Sequence, residues 1–176
     1  MPSFHPEPPF THGQADRTAV LLCNLGTPDE PTAPAVRRYL AQFLGDHRVV
    51  EIPKLLWMPI LHGIILRTRP AKSAAKYASI WTPEGSPLAH WTAKQATLLR
   101  GWLGEAGHAV LVRHAMRYGN PSIASQLDAL KAEGATRILI LPLYPQYSAT
   151  TTASVFDAVY TLSLIHISEP TRQEAI

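Results

Sequence analysis

Cysteine is nearly absent: Cys23 is the single thiol in 176 residues. One thiol closes no internal disulfide and has no partners for a metal knuckle, which fits a reducing compartment such as the cytoplasm. Long apolar runs are missing as well. The nearest candidate, Leu55–Leu66 (LLWMPILHGIIL), is too short for the roughly 20 residues of a membrane span and is broken by Pro59 and Gly63. Met1–Arg17 is polar and proline-rich without the apolar stretch of a secretory signal, and reads as a flexible leader. No run of five or six basic residues occurs. The formal charge of +3 comes from scattered side chains, which argues against a nucleic-acid patch. A mild basic excess suits anionic small molecules or an anionic membrane surface equally. The glycine spacing of a dinucleotide fingerprint or a P-loop is absent. His47, His62, His90, His108 and His114 lack metal-ligand spacing and read as surface or packing residues.

What is present is the raw material of a globular domain. Hydrophobic residues make up 46% and charged residues 16%, enough to build a real core. Thr18–Asn24 is a short apolar run of the kind buried in a parallel strand, and Gly26-Thr27-Pro28-Asp29 follows as turn chemistry. A helix is expected from Ala33 or Pro34 to about Phe43, with Val36, Leu40 and Phe43 on one face. Val49–Pro70 is apolar, proline-interrupted and without clean periodicity. Helices are expected over Ala71–Ile80 and over Trp91–Leu103, the second carrying Trp91, Gln95, Leu98 and Trp102 on one side. Pro83–Pro87 reads as a loop. A second apolar run, Ala109–Arg113, leads to Met116–Pro121 and a helix from Ser122 to about Glu133. A third run, Arg137–Leu143, leads to Tyr144–Ser148 and a helix over Thr150–Tyr160.

Three strands separated by helices predict an α/β fold with a doubly wound, flavodoxin-like parallel sheet and right-handed crossovers. Ligands in such sheets bind beyond the carboxyl ends of the strands. The segments Gly26–Pro28, Arg117–Gly119 and Tyr144–Ser148 are therefore expected to share one rim. Cys23, inside the first run, reads as core.

Leu162–Arg172 (LSLIHISEPTR) resembles the translation of a transposase sequencing adapter. Residues 161–176 are accordingly set aside as an artefactual tail, so that His166 is not a catalytic candidate and the natural sequence is expected to stop near Tyr160.

Five motifs in order carry a family resemblance. Leu22–Asp46, Arg69-Pro70 through Tyr77, Gly85–Leu88, Met116–Gly119 and Leu141–Ser148 resemble the N-terminal half of a bacterial ferrochelatase, with similarity running from Thr18 to Tyr160. The resemblance implies two similar doubly wound domains with a porphyrin between them, this chain supplying residues 18–160 as the first. It also implies insertion of Fe(II), as substrate, into protoporphyrin IX. Leu25 and Phe43 match apolar positions against the macrocycle. Arg69, Tyr77 and Ser86 match porphyrin-binding positions, and Arg117 and Tyr118 match an Arg-Tyr pair in the cleft. The histidine and glutamate credited with metal insertion belong to the second domain, so the isolated chain is expected to be inactive. Where some relatives carry a cysteine for an iron–sulfur cluster this sequence has Ala149, and no cluster is expected.

Physical chemistry is compatible with those roles. A porphyrin is an apolar disc with two propionates, so its pocket needs apolar walls and a few placed polar groups. Arginine presents a two-pronged fork to a carboxylate, and aromatic rings pack on the macrocycle face. Plainer readings stand beside these: Arg69 as a solvated charge, Tyr77 as half-buried packing, Tyr144 and Tyr147 as a structural turn around Pro145. Leu55–Leu66 reads either as core or as an apolar lip at the porphyrin entrance. As a lip followed by Arg67 and Arg69, it would make peripheral contact with an anionic inner membrane and would favour protoporphyrin over coproporphyrin. Other readings are a chelatase for another tetrapyrrole or metal, and a non-catalytic flavodoxin-like binding module.

Overall fold

A computed structural model describes residues 15–164. The leader residues 1–14 and most of the tail set aside above lie outside the described residues. Asp16 and Arg17, at the end of the leader, are held: Asp16 pairs with Arg137 at 2.7 Å, and the Arg17 backbone N–H donates to Thr136 Oγ1 at 3.0 Å.

The first strand, β1 (Thr18–Gly26), lies at the centre of a three-stranded, all-parallel sheet ordered β2-β1-β3. Both its faces are covered, which is why its sequence is continuously apolar. β2 (Leu111–Tyr118) pairs Ala19 with Leu111 and Gly26 with Tyr118, and β3 (Arg137–Pro142) pairs Thr18 with Arg137 and Cys23 with Pro142. On one face Ala19, Leu21, Cys23 and Ala115 pack with Ile123 and Leu130 of α5 (Ile123–Ala132) and Val155 of α6 (Ser154–Leu164). On the other, Val20, Leu22 and Val112 pack with Ala96 of α4 (Pro87–Glu105). The sheet is thus doubly wound, as expected.

Four refinements emerge. The second strand extends through Tyr118, so Arg117 and Tyr118 are its last two residues rather than the loop after it. Val49–Pro70 is largely helical: α2 (Lys54–Ile60), a π-helical turn (Leu61–Ile65) and α3 (Leu66–Ile80). Pro59 and Pro70 sit inside these helices, each removing a backbone donor on either side of the wide turn, and this obscured the periodicity. In α4 the buried residues are Thr92 and Ala96, while Trp91, Leu98 and Trp102 are exposed. Small side chains let that helix approach the sheet, and the large ones point away. The last helix is entered through a second π turn, Ala149–Ala153, and α6 runs past Tyr160 to Leu164.

α1 (Ala33–Gly45) lies across the carboxyl ends of β1 and β2. The Tyr39 hydroxyl donates to Gly26 O at 3.3 Å, and the Gly119 N–H donates to Gln42 Oε1 at 2.8 Å. α3 packs on α1, so the long β1-to-β2 connection caps the rim where ligands of this fold class bind.

Candidate functional site

Two glycines bring the exits of β1 and β2 together. A Cβ on Gly26 (φ +106°) would lie 1.7 Å from Tyr118 O, and one on Gly119 (φ +87°) would lie 2.6 Å from Thr27 O. Only glycine permits both the left-handed backbone and this approach.

Directly beyond them, three side chains from β2 and α6 converge on one carboxylate oxygen. Asp46 Oδ2 accepts from Arg117 Nη2 at 2.5 Å, the Tyr118 hydroxyl at 2.7 Å and Ser154 Oγ at 2.9 Å. Asp46 Oδ1 accepts from the Arg48 backbone N–H at 2.8 Å. Arg117 Nε donates to Ser154 Oγ at 2.7 Å and to Ser154 O at 2.8 Å. Burial opposes ionisation of Asp46, but the bonds from Tyr118, Arg48 and Ser154 and the charge of Arg117 outweigh it and hold the carboxyl below its usual range. The Tyr118 phenol is pushed well up, first by burial. A bidentate pair from Arg48 to Asp157, at 2.6 and 3.1 Å, adds a second tie between the α1 exit and α6.

A run of rings leads outward from this hub. Phe43 meets Tyr118 edge-on at 5.2 Å between centroids, Tyr39 stacks on Phe43 at 6.0 Å, and Tyr77 meets Tyr39 edge-on at 6.3 Å. The Arg117 guanidinium carbon lies 4.6 Å from the centre of the Tyr118 ring. Burial and the neighbouring Tyr77 raise the Tyr39 phenol, so both tyrosines are neutral packing and hydrogen-bonding groups at physiological pH.

Of the residues expected from the sequence, Phe43, Tyr77, Arg117 and Tyr118 join one network through Tyr39 and Asp46. Tyr118 is 2% exposed, so its ring supports the site from beneath Phe43. Leu25 is half-buried near the end of β1, Ser86 is buried at the start of α4, and Arg69 is exposed on α3. Among the described residues no hydrogen bond or ring contact joins these three to the network. Sequence reasoning missed Tyr39, Asp46 and Ser154. Tyr39 could have been found, since it lies four residues before Phe43 on the same helical face. Nothing in the chain's linear order announces that Ser154 meets Asp46.

Cys23 is a core residue, its thiol pushed up to about 12 by burial and hence inert. Among the described residues Tyr144 Oη and Thr27 Oγ1 are buried without a partner. Tyr144 is pushed up to about 12, chiefly by burial. Ala149, on the second π turn, has no ligating atom. No described helix is long and apolar enough to cross a membrane.

Comparison with known proteins places these features in a family context. A family model described as Ferrochelatase matches residues 17–172. A curated protein named ferrochelatase from Methylibium petroleiphilum is 76% identical over 155 residues, covering 88% of this chain and 43% of the relative. Its counterpart from Polaromonas sp. is 75% identical over 162 residues, covering 90% and 44%, and that from Dechloromonas aromatica is 64% identical over 157 residues. The chain thus spans less than half the length of the curated relatives it matches.

Proposed function

The chain belongs to the ferrochelatase family, and on that basis we propose that its complete polypeptide inserts ferrous iron into protoporphyrin IX, this half forming one wall of the porphyrin cleft. The observation that carries the reading is the run of rings Tyr77–Tyr39–Phe43–Tyr118 at the carboxyl rim of the sheet, backed by the Asp46–Arg117–Ser154 hub. Leu25 and Phe43 would face the macrocycle. Arg69 would meet a propionate, with Tyr77 and Ser86 as polar contacts. Tyr118 and Arg117 would hold Phe43 rigid from behind, because a ring wall fixed before binding costs little ordering when the substrate arrives. Iron is substrate here, and the residues that accept the pyrrole protons and deliver the metal would come from the other half. No iron–sulfur cluster enters the reading, since Ala149 carries no ligand.

The same reading assigns the lip to a membrane surface. Leu55 is 87% exposed, Leu56 63% and Ile64 58%, with Leu61 and Leu66 buried as anchors. Lys54, Arg67 and Arg69 flank this apolar surface, a combination that suits anionic headgroups and a lipophilic porphyrin delivered from the bilayer.

Protoporphyrin titration followed by its absorption band, then addition of ferrous iron under anaerobic conditions, tests the division of labour. The chain alone is expected to shift the band and to leave the porphyrin unmetallated. The chain joined to the C-terminal half of the Methylibium relative is expected to produce heme. Metallation by the chain alone would overturn the assignment of chemistry to the other half, and an unperturbed band would overturn the cleft wall.

A further inference from the structure

The outer edge of β2 is closed at both ends and open in the middle. Met116 turns its backbone N–H away from β1 and donates to Pro121 O at 2.7 Å. Successive residues of a strand in a parallel ladder turn their backbone groups to opposite sides, so Val110, Val112 and His114 face the outer edge as well. The Val110 N–H is taken by His108 O at 3.0 Å. Val112 and His114 remain, and among the described residues their outward N–H groups have no hydrogen-bond partner. A window of two residues is too short to hold an added strand.

Around the window lies a hollow of about 370 Å³, a size that suits a small molecule. α4 lines it with Ala93, Ala96, Thr97 and Arg100, and α5 with Gln126 and Glu133. Arg113 of β2 is braced in place: its Nη1 donates to Gln126 Oε1 at 3.3 Å and its Nη2 pairs with Glu133. Glu133 therefore cancels the charge of Arg113. Arg100 is exposed, and among the described residues no ion pair engages it. Burial lowers the basicity of His114, the other titratable group at the window, and keeps it neutral at physiological pH. The hollow thus sets one uncompensated cation beside unpaired backbone N–H and C=O groups, over apolar ground from Ala93 and Val110.

We propose that this edge is a second binding site, for a small carboxylic acid that carries an amide group. The amide pairs with the open backbone groups of Val112 and His114, and the carboxylate meets Arg100 beside the braced Arg113. An arginine fork and a carboxylate are matched in shape and charge, and an amide repeats the donor-and-acceptor pattern that a strand edge presents. The site is remote from the rim: Leu111 begins β2 and Tyr118 ends it. The inference rests on the sheet edge alone, and stands or falls independently of the porphyrin reading.

Titration with hippurate (N-benzoylglycine), followed through the backbone amide signals of Val112 and His114 in isotope-labelled protein, provides the test. It is run on the chain alone and on the chain joined to the C-terminal half of the Methylibium relative. Saturable shifts of both signals are expected in both proteins. Arg100→Gln should weaken binding roughly tenfold or more, the usual consequence of removing a hydrogen bond to a charged group. Its melting temperature should not change, because Arg100 is exposed. Thr97→Phe, which adds a ring over the hollow from an exposed position, should abolish the shifts. Absent or non-saturating shifts overturn the proposal. So does equal binding of uncharged hippuramide, or hippurate binding that Arg100→Gln leaves untouched, since either shows that the carboxylate is not recognised. Shifts that vanish in the joined protein also overturn it, because the edge would then be covered by the other half.

Discussion

Asp46 and Tyr118 are joined by a 2.7 Å hydrogen bond between two residues that lie 72 positions apart in the sequence, and the same Asp46 oxygen also holds Arg117 and Ser154. The side chains of Asp46 and Arg117 are 10% and 20% exposed, so neither charge is well solvated once the other is gone. Asp46→Ala is expected to destabilise the protein by about 3 kcal/mol, the usual consequence of leaving one member of a largely buried pair uncompensated. Asp46→Asn, which keeps an acceptor for Tyr118, should cost less. Urea midpoints of the two variants check the order.

The hub also sets an acid limit. The Asp46 carboxyl is held lower in the folded protein than in the unfolded chain. Between those two values the unfolded state binds more protons, so stability rises with pH. The contribution is fully present above the unfolded carboxylate value and is lost as pH falls through the depressed folded value. A stability profile from neutral to strongly acidic pH should show this loss in the wild type, with a flatter acid limb in Asp46→Asn.

Gly26→Ala is expected to be among the most disruptive single-methyl additions in the chain. The methyl would meet Tyr118 O at 1.7 Å in a backbone conformation that favours glycine, whereas a Cβ on Gly101 meets nothing within 4 Å. Gly101→Ala, in the middle of α4, should stabilise by about 0.5–1 kcal/mol through helix propensity. Thermal melts of the two variants should move in opposite directions, and a stable Gly26→Ala protein would contradict the close approach.

Thr27→Val replaces a buried hydroxyl that has no partner among the described residues by a methyl of the same shape. Because the folded state gains no bond from that hydroxyl, the substitution is expected to be neutral or stabilising by about 1 kcal/mol. A loss of stability on chemical denaturation would show that Thr27 Oγ1 is satisfied in solution.

Leu55→Glu with Leu56→Glu should leave the melting temperature unchanged, since both side chains are largely exposed. The pair should abolish sedimentation with anionic lipid vesicles. Retained vesicle binding would remove the lip from the membrane assignment.

The strands and their winding were legible where burial is uniform. β1 reads as a continuous apolar run because helices cover both its faces, and the inner positions Ile123, Leu127 and Leu130 of α5 follow helical spacing because one face alone is covered. β2 was read too short, since Arg113, His114 and Arg117 interrupt its apolar pattern while its backbone continues in register with β1. In α4 the Trp and Leu stripe of one side is exposed, and the sheet contact is made by Thr92 and Ala96 with Leu99 and Leu103 beside them. At the site, strand-end reasoning located Arg117 and Tyr118, and a family resemblance added Phe43 and Tyr77. The hub itself was illegible because its members come from α1, β2 and α6, and short-range spacing carries no record of contacts between distant segments.

The central position of β1 has a kinetic meaning. It leads the described sheet in sequence but waits for both neighbours: Ala19 pairs with Leu111, and Thr18 with Arg137. Closing loops of that length is slow compared with local helix formation. α1 and α3, whose contacts lie within the first part of the chain, can associate during synthesis while β1 is still unpaired. The cap over the rim would then assemble before the sheet it covers, leaving the apolar β1 in need of protection until β2 and β3 have emerged.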